Sequence, residues 1–263
     1  MEAYDVLVAG IFGLIFGSAI NAVVWRLYVG RSWVRGRSEC PDCGHTLAAK
    51  DLLPVVSWLA LRGKCRYCRK PIKDHPAIEL VTGVLFALSF YALHPANNQE
   101  VVKLGFWFGI LVLMIVLAVY DTRWMLLPDK VMLPLIGLAL IYEVTISSMA
   151  RSPHALLNAL SAAILAGGVF YAIVFFSRGR AMGGGDIKLA FAMGLILGPR
   201  NTLVAMMVAF NVAAIIGIGM IVSRRKGRKD QISFGPFLVF GTVIAFLFGH
   251  QIIEWYLRLN GLN

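Results

Sequence analysis

The sequence predicts an all-α polytopic membrane protein of about eight transmembrane helices with a small metal-binding cap on one side. Three observations predict it. Hydrophobic residues make up 59% of the 263, and mean hydropathy is +0.74, well above the roughly half-apolar composition of soluble domains. Charged residues are only 15%, yet the net charge is +11, which fits basic loops between apolar spans. A nucleic-acid binder would instead carry its lysines and arginines on a polar domain, so no nucleic-acid partner is expected. All four cysteines fall in one polar insert, residues 28–76.

The apolar spans, in order, are 5–26, 77–93, 104–120, 131–149, 156–176, 187–199, 202–222 and 233–256. A helix needs roughly 20 residues to cross the bilayer core. Most spans reach that length, while the sixth is short enough to be recessed or tilted. "MEAYDVLVAGIF" has no basic region, and Glu2 and Asp5 precede the apolar run, so the first span reads as a retained anchor. With the N-terminus outside and the spans alternating, 21 of the 25 Lys and Arg lie inside or at the inner end of the first span. Only Lys103, Arg151, Arg200 and Arg258 stay outside. That asymmetry is a strong positive-inside signal. The chain divides into a first helix (1–27), a cap (28–76) and a seven-helix region (77–263).

The cap holds Cys40-x2-Cys43 and, 21 residues later, Cys65-x2-Cys68. Two such hooks supply four thiolates at tetrahedral corners, the ligand set of structural zinc. Disulfides are disfavoured where thiols stay reduced. His45 beside the first hook reads as a loop histidine. A closed four-cysteine site leaves no open position for substrate, so the chemistry is expected elsewhere.

Acidic residues at membrane depth are functional candidates by default. They are Glu79, Asp121, Asp129, Glu143, Asp186 and Glu254. Asp121 ends the third span in "LAVYDTRWMLLPDK" and Asp186 begins the sixth in "AMGGGDIKLAF". Both fall at the inner surface in the topology above, whereas Glu143 and Glu254 fall toward the outside. Two carboxylates at close range share a proton, so one can take a proton from water while the other donates to a carbonyl oxygen or leaving amine. Gly183, Gly184 and Gly185 are expected to supply backbone angles closed to other residues and to let a substrate strand approach Asp186.

The remaining polar residues have plainer readings. Asp129 is expected to N-cap the fourth span, and Glu79 is either a helix-start acid or a site residue. Lys188 is expected to snorkel away from Asp186. Ser18 and Asn21 are expected to hydrogen-bond between helices. Trp33, Trp58, Trp124 and Trp255 are expected at interfaces or in loops.

These segments resemble the type IV prepilin peptidases. Gly183-Gly184-Gly185-Asp186 matches the GxGD motif of membrane aspartyl peptidases. "DTRWMLLPD", residues 121–129, resembles that family's first aspartate segment, and "FGSAINAVVWRL", residues 16–27, is similar to its first span. "CPDCGHTLAAKDLLPVVSWLALRGKCRYCRKPI" followed by "HPAIELVTG" resembles its cysteine domain and second span. The likeness covers nearly the whole chain. The chain departs from it at Asp74-His75-Pro76, where members often carry arginine and tyrosine before the proline.

The resemblance implies an eight-span enzyme of the bacterial inner membrane, an aspartic-type endopeptidase. It would remove the leader from type IV prepilins or type II secretion pseudopilins at the cytoplasmic face. Asp121 and Asp186 would be the catalytic pair, and Cys40, Cys43, Cys65 and Cys68 the zinc ligands. Many members then methylate the new N-terminus with S-adenosylmethionine, although the chain has no glycine-rich Rossmann fingerprint for that cofactor. The partners are then prepilin substrates, with anionic lipids meeting the basic loops. Two other classes share features with this chain: a proton-coupled transporter with the aspartates as a relay, and a non-enzymatic zinc-capped adaptor.

Overall fold

In the computed structural model, residues 3–33, 36–72, 76–180, 182–223 and 232–261 are described. Asp74 and His75 lie outside them. The chain folds as two compact units, Met1–Ala96 and Asn97–Asn263. Both are helical.

In the first unit, α1 (Ala3–Tyr28) packs against α3 (Ala77–Leu93). Lipid offers no hydrophobic drive between helices, so close backbone approach must hold them. Small residues supply it. A Cβ on Gly13 would sit 2.6 Å from the Thr82 carbonyl oxygen and 2.8 Å from Gly83 Cα, and one on Gly17 would sit 2.6 Å from Glu79 Cα. Phe16 and Phe86 stack alongside, with ring centroids 5.8 Å apart.

Between these helices lies the cap, with a 3-10 turn at Ala49–Asp51 and the short α2 (Val56–Ala60). It contains two near copies of one hook. In the first, Glu39 bridges Thr46, Cys40 N–H donates to His45 O, and Gly44 N–H donates to Cys40 O. In the second, Lys64 bridges Pro71, Cys65 N–H donates to Lys70 O, and Arg69 N–H donates to Cys65 O. Gly44 and Arg69 occupy matching left-handed positions, φ 68° and 59°. Asp51, its side chain 3% exposed, ties the cap together. It accepts from Arg66 Nε at 2.6 Å, Tyr67 Oη at 3.0 Å and Ala48 N–H at 3.2 Å. Burial alone would raise its carboxyl, but these donors outweigh burial and hold it below the usual carboxylate range.

The second unit contains α4 (Asn98–Trp124), α5 (Asp129–Met149), α6 (Pro153–Phe176), α7 (Gly184–Val222) and α8 (Gly235–Leu259). Among the described residues, six helices, α1 and α4–α8, are long and apolar enough to cross a membrane, and α3 is a shorter apolar helix. The 39-residue α7 is not one rod. Gly198 adopts φ 66°, ψ 178°, and Pro199 follows. An L side chain resists that φ, and proline cannot donate to the preceding turn. The arms, 184–197 and 199–222, run opposite ways. Along the first, Gly167 of α6 meets Phe191 and Ile187, and Gly194 meets Ala162 and Ala163. Along the second, Asn201 lies at Gly249 of α8, Ala205 and Ala209 lie at Gly241, and the Phe210 ring comes within 5.1 Å of Phe234, just before α8 begins. The second arm thus returns toward the start of α8. The sixth and seventh expected spans correspond to these arms. The first is roughly 20 Å long, shorter than the ~30 Å core.

Three expectations change. Asp129 is the first residue of α5, not its N-cap; Pro128 takes that place. A first-turn carboxylate is still favoured there by the helix dipole. Lys188 does not simply snorkel, because its Nζ donates to Asp129 Oδ1 at 2.6 Å. Trp58 lines a cavity within the first unit.

Gly13→Ala is expected to destabilise the first unit by about 1–3 kcal/mol, since the new methyl would meet the α3 backbone and the Phe86 Cβ, neither of which can swing away, while Gly10→Ala, with 3.5 Å of room, is expected to be neutral. Thermal unfolding in detergent distinguishes them. Asp51→Asn is expected to loosen the cap by roughly 1–2 kcal/mol at neutral pH. The native carboxyl is depressed, so its contribution is complete above the unfolded Asp range and is lost as pH falls through the native value. Unfolding of wild type and variant should therefore converge in acid.

Candidate active site

Asp121 sits in the last turn of α4, and Asp186 in the first turn of α7. With 64 residues between them in sequence, the fold brings both to one end of the second unit. Asp121 is 5% exposed and Asp186 8%. The other acids differ. The Asp129 side chain is 60% exposed and pairs with Lys188; that of Glu254 is 49% exposed and pairs with His250 and Arg258. Glu143 lines a separate polar cavity of about 230 Å³ with Lys103, Asn158 and Asn201, where α7 breaks at Gly198, the end of that arm remote from Asp186.

The two buried carboxylates lie within electrostatic reach of each other. Neither pairs with a cationic side chain among the described residues. Each is held by backbone N–H groups at a helix start, where unsatisfied donors and the dipole favour negative charge. Gly235 N–H, opening α8, donates to Asp121 Oδ2 at 3.0 Å. Gly183 N–H, preceding α7, donates to Asp186 Oδ2 at 3.3 Å.

Gly235 is a site residue that the sequence reading missed. A Cβ there would lie 2.6 Å from Asp121 Oδ2, so only glycine permits the contact. The available signal was "FGPF", a glycine and proline opening an apolar span. The three expected glycines play unequal parts. None has positive φ, and Gly183 is extended at φ −82°, ψ 157°, so special backbone angles are not their role. A Cβ at Gly185 would lie 2.8 Å from Leu127 Cβ, which admits the loop between α4 and α5. Gly183 and Gly184 are exposed, and Gly184 has nothing within 4 Å of its missing Cβ.

In the first unit, the sulfurs of Cys40, Cys43, Cys65 and Cys68 all lie within 4.8 Å of one another, and none forms a disulfide. Cys40 and Cys68 Sγ are 3.9 Å apart. A tetrahedral zinc with four thiolates has an S···S edge of about 3.8 Å, so the donor set fits that ion. Burial pushes the Cys40 thiol up to about 12. Burial also opposes ionisation at Cys65, where the Cys68 and Tyr67 N–H groups and the neighbouring thiols outweigh it and bring the value to about 7. A bound cation removes this penalty, since coordinating thiols are deprotonated outright. His45 is not in the cluster; its ring lies 3.6 Å from that of Tyr67.

Comparison with known proteins places the chain in a family. Residues 11–93 match the bacterial Peptidase A24 N-terminal domain, and residues 107–218 match the type IV leader peptidase family. A protein of Bacillus subtilis (strain 168) is 31% identical over 253 residues, covering 95% of this chain and 96% of its own. One of Aeromonas hydrophila is 30% identical over 272 residues, covering 94% and 92%. One of Xanthomonas campestris is 30% identical over 281 residues, covering 95% and 94%. All three are named prepilin leader peptidase/N-methyltransferase. No solved structure matches. With two family segments in order and such relatives along nearly its full length, the chain belongs to the type IV leader peptidase family, a multi-pass membrane enzyme that removes leader peptides.

Proposed function

We propose that Asp121 and Asp186 are the catalytic pair of an aspartyl peptidase that cuts prepilin or pseudopilin leaders at the cytoplasmic face of the inner membrane. One observation carries the reading. Two carboxylates distant in sequence are buried together at helix ends with only glycine N–H partners among the described residues. Buried charge without a counter-ion is costly in a membrane protein and is kept where it functions. A transporter relay would favour acids near mid-membrane, whereas these sit at helix termini.

The geometry is compatible with a division of roles. One ionised carboxylate takes a proton from a water held between the pair, and the other, protonated, donates to the scissile carbonyl oxygen. The N–H groups of Gly235 and Gly183 fix the carboxylates and need not move during reaction. The bare backbone at Gly183 and Gly184 leaves room for an extended substrate strand. The charge asymmetry of the loops supports a cytoplasmic orientation, the side on which a leader would arrive. Cys40, Cys43, Cys65 and Cys68 hold a structural zinc that orders the cap. The name of the relatives supports a second activity, methylation of the new N-terminus from S-adenosylmethionine.

Asp121→Asn and Asp186→Asn are each expected to lower leader cleavage at least a thousandfold while zinc content and unfolding stay unchanged. Mass spectrometry of a membrane-embedded prepilin reads the leader loss, and normal cleavage by either variant would remove the pair from the mechanism. Gly235→Ala is expected to cost roughly 10- to 100-fold in kcat, since displacing a positioned group by about 1 Å has that scale of effect. Purified protein should carry one zinc, and Cys65→Ser should release it and melt the cap, read as protease sensitivity of residues 28–76.

A further inference from the structure

At the end of the second unit remote from Asp121 and Asp186, residues of all five helices surround a cavity of about 230 Å³. At roughly 15 Å³ per water centre it holds about fifteen waters, the space of a small polar head group. The first arm of α7 ends there, at Gly198. Being roughly 20 Å long, that arm stops short of a ~30 Å hydrocarbon core. Broken backbone at membrane depth is tolerated where it lines a polar cavity.

The charges in this wall lie below the helix ends. Lys103 is the sixth residue of α4, Asn158 the sixth of α6, and Glu143 lies six residues before the end of α5. At 1.5 Å per residue each is roughly 8–9 Å inside its helix, a depth at which ionisable groups are kept for a purpose. A lysine there would ordinarily extend toward water. The Lys103 Nζ instead stands 5.7 Å from the Phe246 ring centroid, a cation–π contact. Lys103 and Glu143 are within electrostatic reach of each other, yet neither forms an ion pair among the described residues. Tyr142, only 3% exposed, also lines the cavity, and its hydroxyl has no hydrogen-bond partner among the described residues. The side-chain amides of Asn158 and Asn201 have none there either. The wall thus offers one cation, one anion and three uncommitted polar groups, which complements a zwitterion.

We propose that this cavity binds the head group of a phospholipid bearing a primary amine, with the ammonium at Glu143 and the phosphate at Lys103. Phosphatidylethanolamine presents this chemistry from the membrane, and glycerophosphoethanolamine presents it from solution. The surroundings favour the lipid. Asn158 is exposed, and Leu157 and Ile164 on the same apolar helix are 61% and 65% exposed, so acyl chains can lie along α6 while the head group enters. An ammonium brings three N–H donors to the carboxylate and amide oxygens. A choline head group has no N–H to donate, and a glycerol head group brings no positive charge to Glu143. Basic loops attract lipids by negative charge alone, whereas this site selects a zwitterion.

The test is native mass spectrometry of the purified full chain with phosphatidylethanolamine, phosphatidylcholine and phosphatidylglycerol of matched acyl chains. Wild type should hold one phosphatidylethanolamine about tenfold more tightly than either competitor, the scale of one charge-assisted hydrogen bond. Equal retention of all three lipids overturns the proposal without recourse to a variant. Glu143→Gln keeps the shape and removes the charge. It should bring phosphatidylethanolamine to within about twofold of phosphatidylcholine, and an undiminished preference overturns the role of Glu143. Lys103→Met should weaken both of these lipids alike, because both carry the phosphate. Soluble glycerophosphoethanolamine should compete only weakly; binding as tight as that of the lipid overturns the membrane source. A phosphatidylethanolamine with a photoreactive head group locates the site on wild type. Label at residues 155–159 or 197–201 supports it, and label confined to residues 3–72 overturns it.

Discussion

Burying two carboxylates in an apolar helical unit, with no cationic partner among the described residues, is the constraint around which the second unit is built. Helix N-termini resolve it. Each carries unsatisfied N–H groups and the positive end of a dipole, so a helix start can satisfy a carboxylate without adding a charge. Asp121, at the end of α4, uses Gly235 at the start of α8, and Asp186 uses Gly183 at the start of its own helix. The first contact spans 114 residues, so satisfying one side chain also fixes where the last helix begins.

That solution dictates small residues and sharp bends. A side chain at Gly235 would occupy the position of the carboxylate, and one at Gly185 would strike Leu127. The break at Gly198–Pro199 turns the second arm of α7 back alongside α8. Aromatic packing fills the remaining space: Trp107 stacks on Phe246 at 3.8 Å, and Phe170, Phe210 and Phe234 cluster. Peptidase chemistry suits such a frame, because donors fixed before the reaction need not reorganise during it.

The first unit solves a different problem. Its cap is too short to enclose an apolar core, and Leu53, Val56 and Leu59 are more than half exposed. Its order comes from polar groups and from thiols placed where they could hold a metal: two hooks converging on one sulfur cluster, and Asp51 gathering three donors. Glu79 adds a hydrogen bond from α3 to the cap backbone at Val55. A carboxylate that the sequence left as either a helix-start acid or a site residue thus contributes to both structure and the cavity wall.

Much was legible in the sequence because it depends on local composition. Apolar run lengths, cysteine spacing and the distribution of Lys and Arg follow from solvent, ligand geometry and membrane charge, and each is a one-dimensional property. The prominence of Asp121 and Asp186 was also legible, since charges at the ends of apolar runs need a reason. What only the tertiary structure decided depends on contacts between distant residues. Gly235 looks like any glycine at a helix start until Asp121 is placed against it. Gly13 and Gly17 gain meaning only from the backbone of α3. Asp129 and Lys188, 59 residues apart, are paired by the packing of α5 on α7. The sequence by itself marked which segments are apolar enough to enter a membrane and which residues are candidates for the chemistry. Tertiary structure decided which N–H groups hold those residues, because a close approach is a property of two surfaces and neither surface encodes it alone.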